Sequence, residues 1–313
     1  MSTKTYRERY GWWQVDDFEV GVVGPDRVRF LNGMFTRDLS SMEPGAGAWA
    51  IKATAKGRIQ GLVRIRVGAD SVRIDLPRIC GEQVVGALVD HLVADDCEIE
   101  DHTDDWQRVM VAGAEAAALL ESRGLPVPSV ELGAGELDGV RVVRDNRYGV
   151  PGFEVSLAPG ATKDLGLDPG ARVSEELRNV WRIEAGLPEM GPDLDEEVIA
   201  LEAGLLFAID ATKGCYIGQE TIARAMNLGR VRYGLVGYRS DEPLSIGKIT
   251  GPDGKARGEV TSAAWSEQVG AHVGIGYLRN EVTDEALPAG IQAVSLPHVP
   301  AAAPTVFAPV TQR

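Results

Sequence analysis

Apolar residues recur along this chain at two spacings, and the switches between them outline its elements. Residues 20–23 are a short β-branched run that stops at Gly24-Pro25-Asp26. The stretch behind it places Val28, Phe30, Leu31, Met34 and Phe35 at amphipathic spacing, so a strand followed by a helix capped by Asp26 is expected. Residues 48–53, 61–67 and 71–76 alternate or run apolar, and Lys56-Gly57-Arg58 and Gly68-Ala69-Asp70 separate them. That is the pattern of antiparallel strands joined by hairpin turns. Residues 82–93 return to helical spacing, with Val85, Leu88, Val89 and Leu92 on one face.

A second round follows the first. Residues 106–111 read as a strand, and 115–123 as a helix that ends at Gly124. Residues 140–144 and 152–157 read as further strands, so the two rounds predict a duplicated α+β unit. Residues 159–169 form a glycine- and proline-rich connector. Ser174 caps the next helix, which runs to Ala185 with Glu175 and Glu176 in its first turn. Residues 201–209 are one more apolar segment. From Arg232 the texture changes to short strands punctuated by glycine, at 235–238, 247–250, 258–262 and 274–278. The expected fold class is α+β. Residues 1–231 form two subdomains that can intertwine, 232–296 a small β-barrel, and 297–313 an extended proline-rich tail.

Composition narrows the class. A hydrophobic share of 44% and a charged share of 25% over 313 residues suit a globular chain with room for two or three domains. No apolar run approaches the ~20 residues that span a bilayer, so no membrane partner is expected. The opening MSTKTYRERYGWW lacks the basic-then-apolar pattern of an export signal, and a cytoplasmic monomer is expected. Net charge is −14, with 46 acidic against 32 basic residues. Such a surface repels phosphate backbones and argues against tight nucleic-acid binding. Arg224, Arg230 and Arg232 cluster locally, either as a salt-bridged surface or as a seat for an anion. The three cysteines and four histidines show no CxxC, HxH or HExxH spacing, so no metal site is expected.

The candidate chemistry centres on Lys213-Gly214-Cys215-Tyr216-Ile217-Gly218-Gln219-Glu220. Cations and helix N-terminal amides lower a thiol pKa, and Lys213 lies two residues from Cys215 with a helix expected from Ile217 to Ala225. A lone cysteine is more often buried and inert, but the flanking Gly214 and Gly218 permit unusual dihedrals or a close approach. Gln219 and Glu220 are either readers of a heterocycle's amide edge or the first turn of that helix. Arg178 and Arg182 share a helix face, where an arginine can bind a carboxylate bidentately or join an intrahelical ion pair. Glu154 opens a strand after a glycine turn, as an acceptor for an aminopyrimidine or as a solvated turn residue.

The string KGCYIGQE, followed by Ala223-Arg224 and Gly229-Arg230-Val231, resembles the YgfZ-type folate-binding proteins, relatives of the glycine cleavage T-protein (aminomethyltransferase). Gly24-Pro25-Asp26 with Phe30-Leu31-Asn32-Gly33 and Thr36-Arg37-Asp38, Lys56-Gly57-Arg58-Ile59, and Gly152-Phe153-Glu154 are similar to earlier segments of that family. So are Arg182-Ile183-Glu184-Ala185-Gly186-Leu187-Pro188, Glu202-Ala203-Gly204-Leu205, Gly258-Glu259-Val260-Thr261-Ser262 and Gly274-Ile275-Gly276-Tyr277-Leu278. The resemblance implies a three-domain ring, two ferredoxin-like α+β domains and a C-terminal β-barrel, around a hole that accepts tetrahydrofolate. It implies a pterin contact at Glu154, a second folate contact at Arg178, and an aromatic contact matched loosely by Phe18 or Trp13.

One departure matters. The T-protein hairpin carries an aspartate beside the reactive folate nitrogen, and here Lys56-Gly57-Arg58-Ile59 continues as Gln60-Gly61-Leu62-Val63. Without that carboxylate, aminomethyl transfer loses its electrostatic and proton-handling partner. The YgfZ branch implies instead a tetrahydrofolate-dependent accessory role toward iron–sulfur proteins, including those that methylthiolate tRNA, with Cys215 as the needed residue. The candidates are therefore Cys215 and Lys213 for chemistry, and Glu154, Arg178, Arg182 and Gln219 for folate. A folate-dependent methyl- or aminomethyltransferase or demethylase is the alternative.

Overall fold

A computed structural model describes residues 3–228, 231–282, 286–296 and 308–309. Its first half is built from strands that carry apolar residues on one face and charges on the other. In β2 (Phe18–Val23), Val20 and Val22 alternate with Glu19. In β4 (Ile59–Val67), Val63 and Ile65 alternate with Arg64 and Arg66, and in β5 (Ser71–Leu76), Val72 and Ile74 alternate with Arg73 and Asp75. With β3 (Gly47–Ala53) and β6 (Glu98–Asp101) they make a five-stranded antiparallel sheet in the order β3-β4-β5-β2-β6. Its apolar face packs on α2 (Arg27–Met34) and α3 (Arg78–His91) through residues such as Phe30, Leu31, Val84 and Leu88.

The second sheet repeats this plan. It contains β7 (Gln107–Ala112), β8 (Ala134–Leu137), β9 (Val140–Arg144) and β10 (Gly152–Leu157), with α4 (Ala116–Ser122) on its apolar face. Its fifth strand is β1 (Gly11–Gln14), which follows the short α1 (Thr3–Glu8). The order β8-β9-β10-β7-β1 matches β3-β4-β5-β2-β6 position for position. In each unit a short first strand precedes the strand–helix–three-strand run, but β1 pairs with β7 and β6 pairs with β2. Each unit thus lends its first strand to the other.

The charged faces of the two sheets look at each other rather than at water. Glu154 accepts from Arg108 at 2.7 and 2.9 Å and from Arg64 at 3.2 Å. Arg64 also reaches Asp145 and Asp17, Arg66 and Arg108 meet at Asp75, and Arg141 holds Glu19. Glu19, Asp75 and Glu154 bring ligand oxygens within 4.8 Å of one another, but here the arginines supply the counter-charge.

After residues 159–174, α5 (Glu175–Ala185) crosses to the C-terminal part. Ser174 Oγ caps it by accepting from the Leu177 N–H, and Gly186 closes it at φ +71. Residues 201–209 hold a single short turn of 3-10 helix, Leu206–Ala208, with Leu205 and Ala208 in the first core. α6 (Gln219–Leu228) precedes β11 (Tyr233–Ser240), β12 (Gly247–Thr250), β13 (Ala256–Ser266), β14 (Ala271–Arg279), β15 (Ile291–Ser295) and β16 (Ala308–Pro309). These form one antiparallel sheet, β12-β13-β14-β11-β15-β16, and α5 packs Ile183 against its Val273 and Ile275. Apart from β16, the tail 297–313 lies outside the described residues. No helix is long and apolar enough to cross a membrane among the described residues.

Two local expectations change. The helix at 82–93 starts earlier, behind Pro77, and buries Cys80, Gly81, Val84 and Leu88 while Val89 is 54% exposed. Gly81 sets that register: a Cβ there would stand 2.3 Å from the Phe18 ring, so only glycine admits the ring. Asp26 precedes α2 without a side-chain cap bond, because its carboxylate accepts from Arg29 and from the Asp96 N–H.

Burial raises the Glu154 carboxyl pKa, but Arg108, Arg64 and Arg66 outweigh that and hold it below the ordinary value of 4.5. A lowered folded-state pKa contributes stability that is complete above 4.5 and lost as pH falls below it. Glu154→Gln should cost about 3 kcal/mol at pH 7, the cost of breaking a buried pair, and flatten the acid limb of stability measured by urea unfolding.

Candidate functional site

A two-lobed cavity opens where the two sheets, α5 and the strand exchange meet. The inner lobe, about 140 Å³, is walled by Trp13, Asp16, Asp17, Trp49, Tyr148, Arg178 and Met190, among others. The outer lobe, about 500 Å³, is walled by Trp13, Gln14, Arg172, Ser174, Glu175 and Arg178. Trp13, Gln14 and Arg178 belong to both. Strand pairing of β1 with β7 seats Trp13 against Tyr148 and Trp181, edge-on at 5.0 and 6.1 Å, so its indole is rigid.

Arg178 forms no ion pair in this wall among the described residues. Its guanidinium lies 5.9 Å from the Trp13 ring, and its buried Nε has no hydrogen-bond partner. The indole Nε1 of Trp49 is likewise buried and unpartnered. Unsatisfied donors in a cavity wall favour a ligand that accepts from them.

Arg182 shares the helix face with Arg178 and reaches the same inner lobe, but its charge is already used. It pairs with Asp193 at 2.7 Å and Glu189 at 2.9 Å, and donates to Ser262 at 2.7 Å, tying α5 to β13. Arg182, expected to bind folate, is thus engaged in a clamp between α5 and β13. Glu154, expected to contact a pterin, is wholly buried, both its oxygens accept from arginines, and it walls neither lobe. It acts at one remove, because Arg64, which it holds, also fixes Asp17 in the cavity wall at 2.6 Å. Of the two expected aromatic contacts, Phe18 lies under Arg78 and against Gly81, and Trp13 walls the cavity.

The KGCYIGQE segment folds as a loop leading into α6, and neither lobe includes it. Cys215 is exposed, whereas Cys80 and Cys97 are buried. Gly218, at φ +85, passes so close to the β3–β4 turn that a Cβ would stand 2.4 Å from the Thr54 carbonyl oxygen. Gly214 has no neighbour within 4 Å of a Cβ position. The close approach expected of these glycines is thus to backbone, at Gly218 alone. Lys213 is buried and turned inward, donating to the carbonyl oxygens of Asn32, Phe35 and Arg37 at 2.6–2.7 Å. Burial lowers its pKa to about 8, against the pull of Asp38 and Asp210. Lys213, a candidate for chemistry, has its N–H groups engaged on those carbonyls. Gln219 begins α6, half-buried, with a backbone bond to Tyr216 and no side-chain bond. Arg224 is exposed on α6, Arg232 lies over Tyr233, and Arg230 falls outside the described residues. The hairpin's Gln60 donates to Glu196 at 3.3 Å.

Residues 2–213 match the family model of the GCVT N-terminal domain, a span that holds both exchanged-strand units and every wall residue of the cavity. The chain belongs to that family. Among its relatives is an aminomethyltransferase of Rubrobacter xylanophilus, 30% identical over 300 residues, covering 88% of this chain and 77% of that protein. A putative chloroplastic transferase of Arabidopsis thaliana is 26% identical, and the match covers 84% of this chain but only 63% of the relative's length. The fold is also that of the glycine cleavage system aminomethyltransferase T from Bartonella henselae, at a TM-score of 0.86 and 20% identity, covering 98% of this chain and 90% of that one. The GCVT match stops at Lys213, just before Cys215. Sequence reading missed Gln14, Trp49 and Tyr148 as wall residues. The adjacent Trp12-Trp13 in a short polar-flanked segment was the available signal for this corner.

Two pairs of substitutions test these assignments. Arg178→Ala should leave stability within about 0.5 kcal/mol of wild type, while Arg182→Ala should cost about 3 kcal/mol by stranding Asp193, both read by denaturant unfolding. Gly218→Ala should lower stability by at least about 1 kcal/mol through its positive φ and the Thr54 contact, and Gly214→Ala should be tolerated, read by thermal melts.

Proposed function

We propose that this protein binds a reduced folate of the tetrahydrofolate type in the two-lobed cavity and serves as an accessory factor for iron–sulfur proteins, presenting Cys215 as its reactive thiol. The observation that carries the folate reading is the unpaired Arg178 guanidinium beside the Trp13 ring, between the two lobes. A folate has a flat bicycle that stacks on an indole and a glutamyl tail whose carboxylates pair with a guanidinium. The donor set fits that group. Trp13 offers the ring, Arg178 and Gln14 offer donors, and the outer lobe lies in the size range of small-molecule sites. When bound, the folate supplies a one-carbon carrier. The protein's own part is to hold it out of bulk water and fix its orientation.

Support for the accessory role is the string KGCYIGQE with its exposed thiol, together with Gln60 where the hairpin of a transferase of this type would need a carboxylate. The clients implied are iron–sulfur enzymes such as those of tRNA methylthiolation. A folate-dependent methyl- or aminomethyltransferase is the second reading, favoured by the 30% identity to an aminomethyltransferase.

Calorimetry with tetrahydrofolate should show binding to wild type, weakened at least about tenfold in Arg178→Ala, the loss expected for one charge-assisted hydrogen bond. No heat of binding to wild type sinks the folate reading. In cells lacking the factor, Cys215→Ser should fail to restore iron–sulfur enzyme activity, and full complementation would refute the thiol's role. Methyl- or methylene-tetrahydrofolate formed at enzymic rates from added donors would select the transferase instead.

A further inference from the structure

Lys213 occupies a position that neither folate binding nor thiol chemistry uses directly. Its Nζ meets the carbonyl oxygens of Asn32 at 2.7 Å, Phe35 at 2.6 Å and Arg37 at 2.7 Å, at and just beyond the C-terminal end of α2. A helix leaves its last carbonyls unpaired and carries partial negative charge there. An ammonium, with three N–H groups and no acceptor, matches three such oxygens. The charged groups facing it are Asp38, Asp210 and Arg37, and the Tyr216 ring lies 5.2 Å away.

Residues 35–37 grip the cavity wall at the same time. Phe35 bridges Lys52 of β3, and buried Thr36 both donates its backbone N–H to the Ile51 oxygen and accepts the Ile51 N–H on its hydroxyl. The Arg37 guanidinium donates to the carbonyl oxygens of Trp49, at 3.2 Å, and Phe207. Trp49, which also meets the Phe207 ring edge-on at 6.2 Å, walls the inner lobe. One short stretch of backbone therefore holds the cavity wall on one side and the Cys215 loop on the other.

We propose that Lys213 is a positioning residue: through residues 35–37 it fixes the Cys215 loop to the strand that walls the cavity, so that ligand occupancy and thiol presentation are linked. The link to a ligand rests on the folate reading, whereas the anchoring does not. Lys213–Arg37–Trp49 is a contiguous chain of hydrogen bonds that can carry such coupling.

The ligand-free protein tests the anchor. Lys213→Met should raise the rates of Cys215 alkylation by N-ethylmaleimide and of amide exchange at Ile217 by about tenfold, the equivalent of one lost charge-assisted hydrogen bond. The Cys80 and Cys97 peptides serve as buried controls. Lys213→Arg keeps the cation and should recover most of the protection. Unchanged rates in a folded Lys213→Met protein overturn the proposal. Should that variant not fold, wild type decides. The Ile217 N–H donates to the Gly33 oxygen at 3.0 Å, and exchange there at a free-loop rate would overturn the anchor. With tetrahydrofolate added, wild type should alkylate more slowly at Cys215, and Lys213→Met should keep its calorimetric affinity but lose that response. Binding with no response at Cys215 in wild type overturns the linkage. Absence of binding fails the folate reading, and the ligand-free comparison then decides the anchor by itself.

Discussion

Two sheets with charged inner faces can lie together only if the charges are matched in detail, and the rest of this molecule depends on that match. Removing an ion from water costs several kcal/mol, so each buried arginine must find carboxylates with good geometry. Arg108 finds Asp75 and Glu154, while Arg64 finds Asp17, Asp145 and Glu154. Ion pairs fix distance and angle more strictly than apolar contacts do, and Glu19, Asp75 and Glu154 are each held by arginines from both sheets. The spacing of the sheets is therefore set. Asp17 and Arg147, at the margin of this layer, are also wall residues of the cavity, so the same electrostatics shape the site.

α5 carries this order to the functional corner. Of two arginines one turn apart, Arg182 is consumed in clamping the helix to the C-terminal sheet, which leaves Arg178 beside the Trp13 ring without an ion pair among the described residues. A cation without a partner is available to pair with an anionic group. The exposed thiol follows a different design. It sits on a loop pinned at two ends, by Lys213 on α2 and by Gly218 on the β3–β4 turn, so an open position need not be a loose one.

Much of this was legible in the sequence where the signal was local. β5, β9, β10 and β12 appear at the bounds their alternation marks, and the Ser174 cap of α5 forms as its spacing requires. Short strands such as β1, β6 and β8 gave no period to read. Alternation itself was the deeper trap, since a polar face ordinarily means water, and here it means another polar face. The partners of Glu154 and Lys213 were hidden for a related reason. They stand far along the chain, 46 residues away for Arg108 and 178 for Phe35, and no spacing rule reaches that distance.

The exchange of β1 and β6 has a consequence for how the polypeptide is made. β1 emerges from the ribosome early, yet its partner β7 belongs to the second unit, so the first strand must wait with open edges while the intervening unit is synthesised. β6 in turn completes the first sheet only from the far side of α3. Neither half owns a finished sheet, and nucleation must bring both together before either is secure. Each of the two units depends on the other for one of its sheet strands.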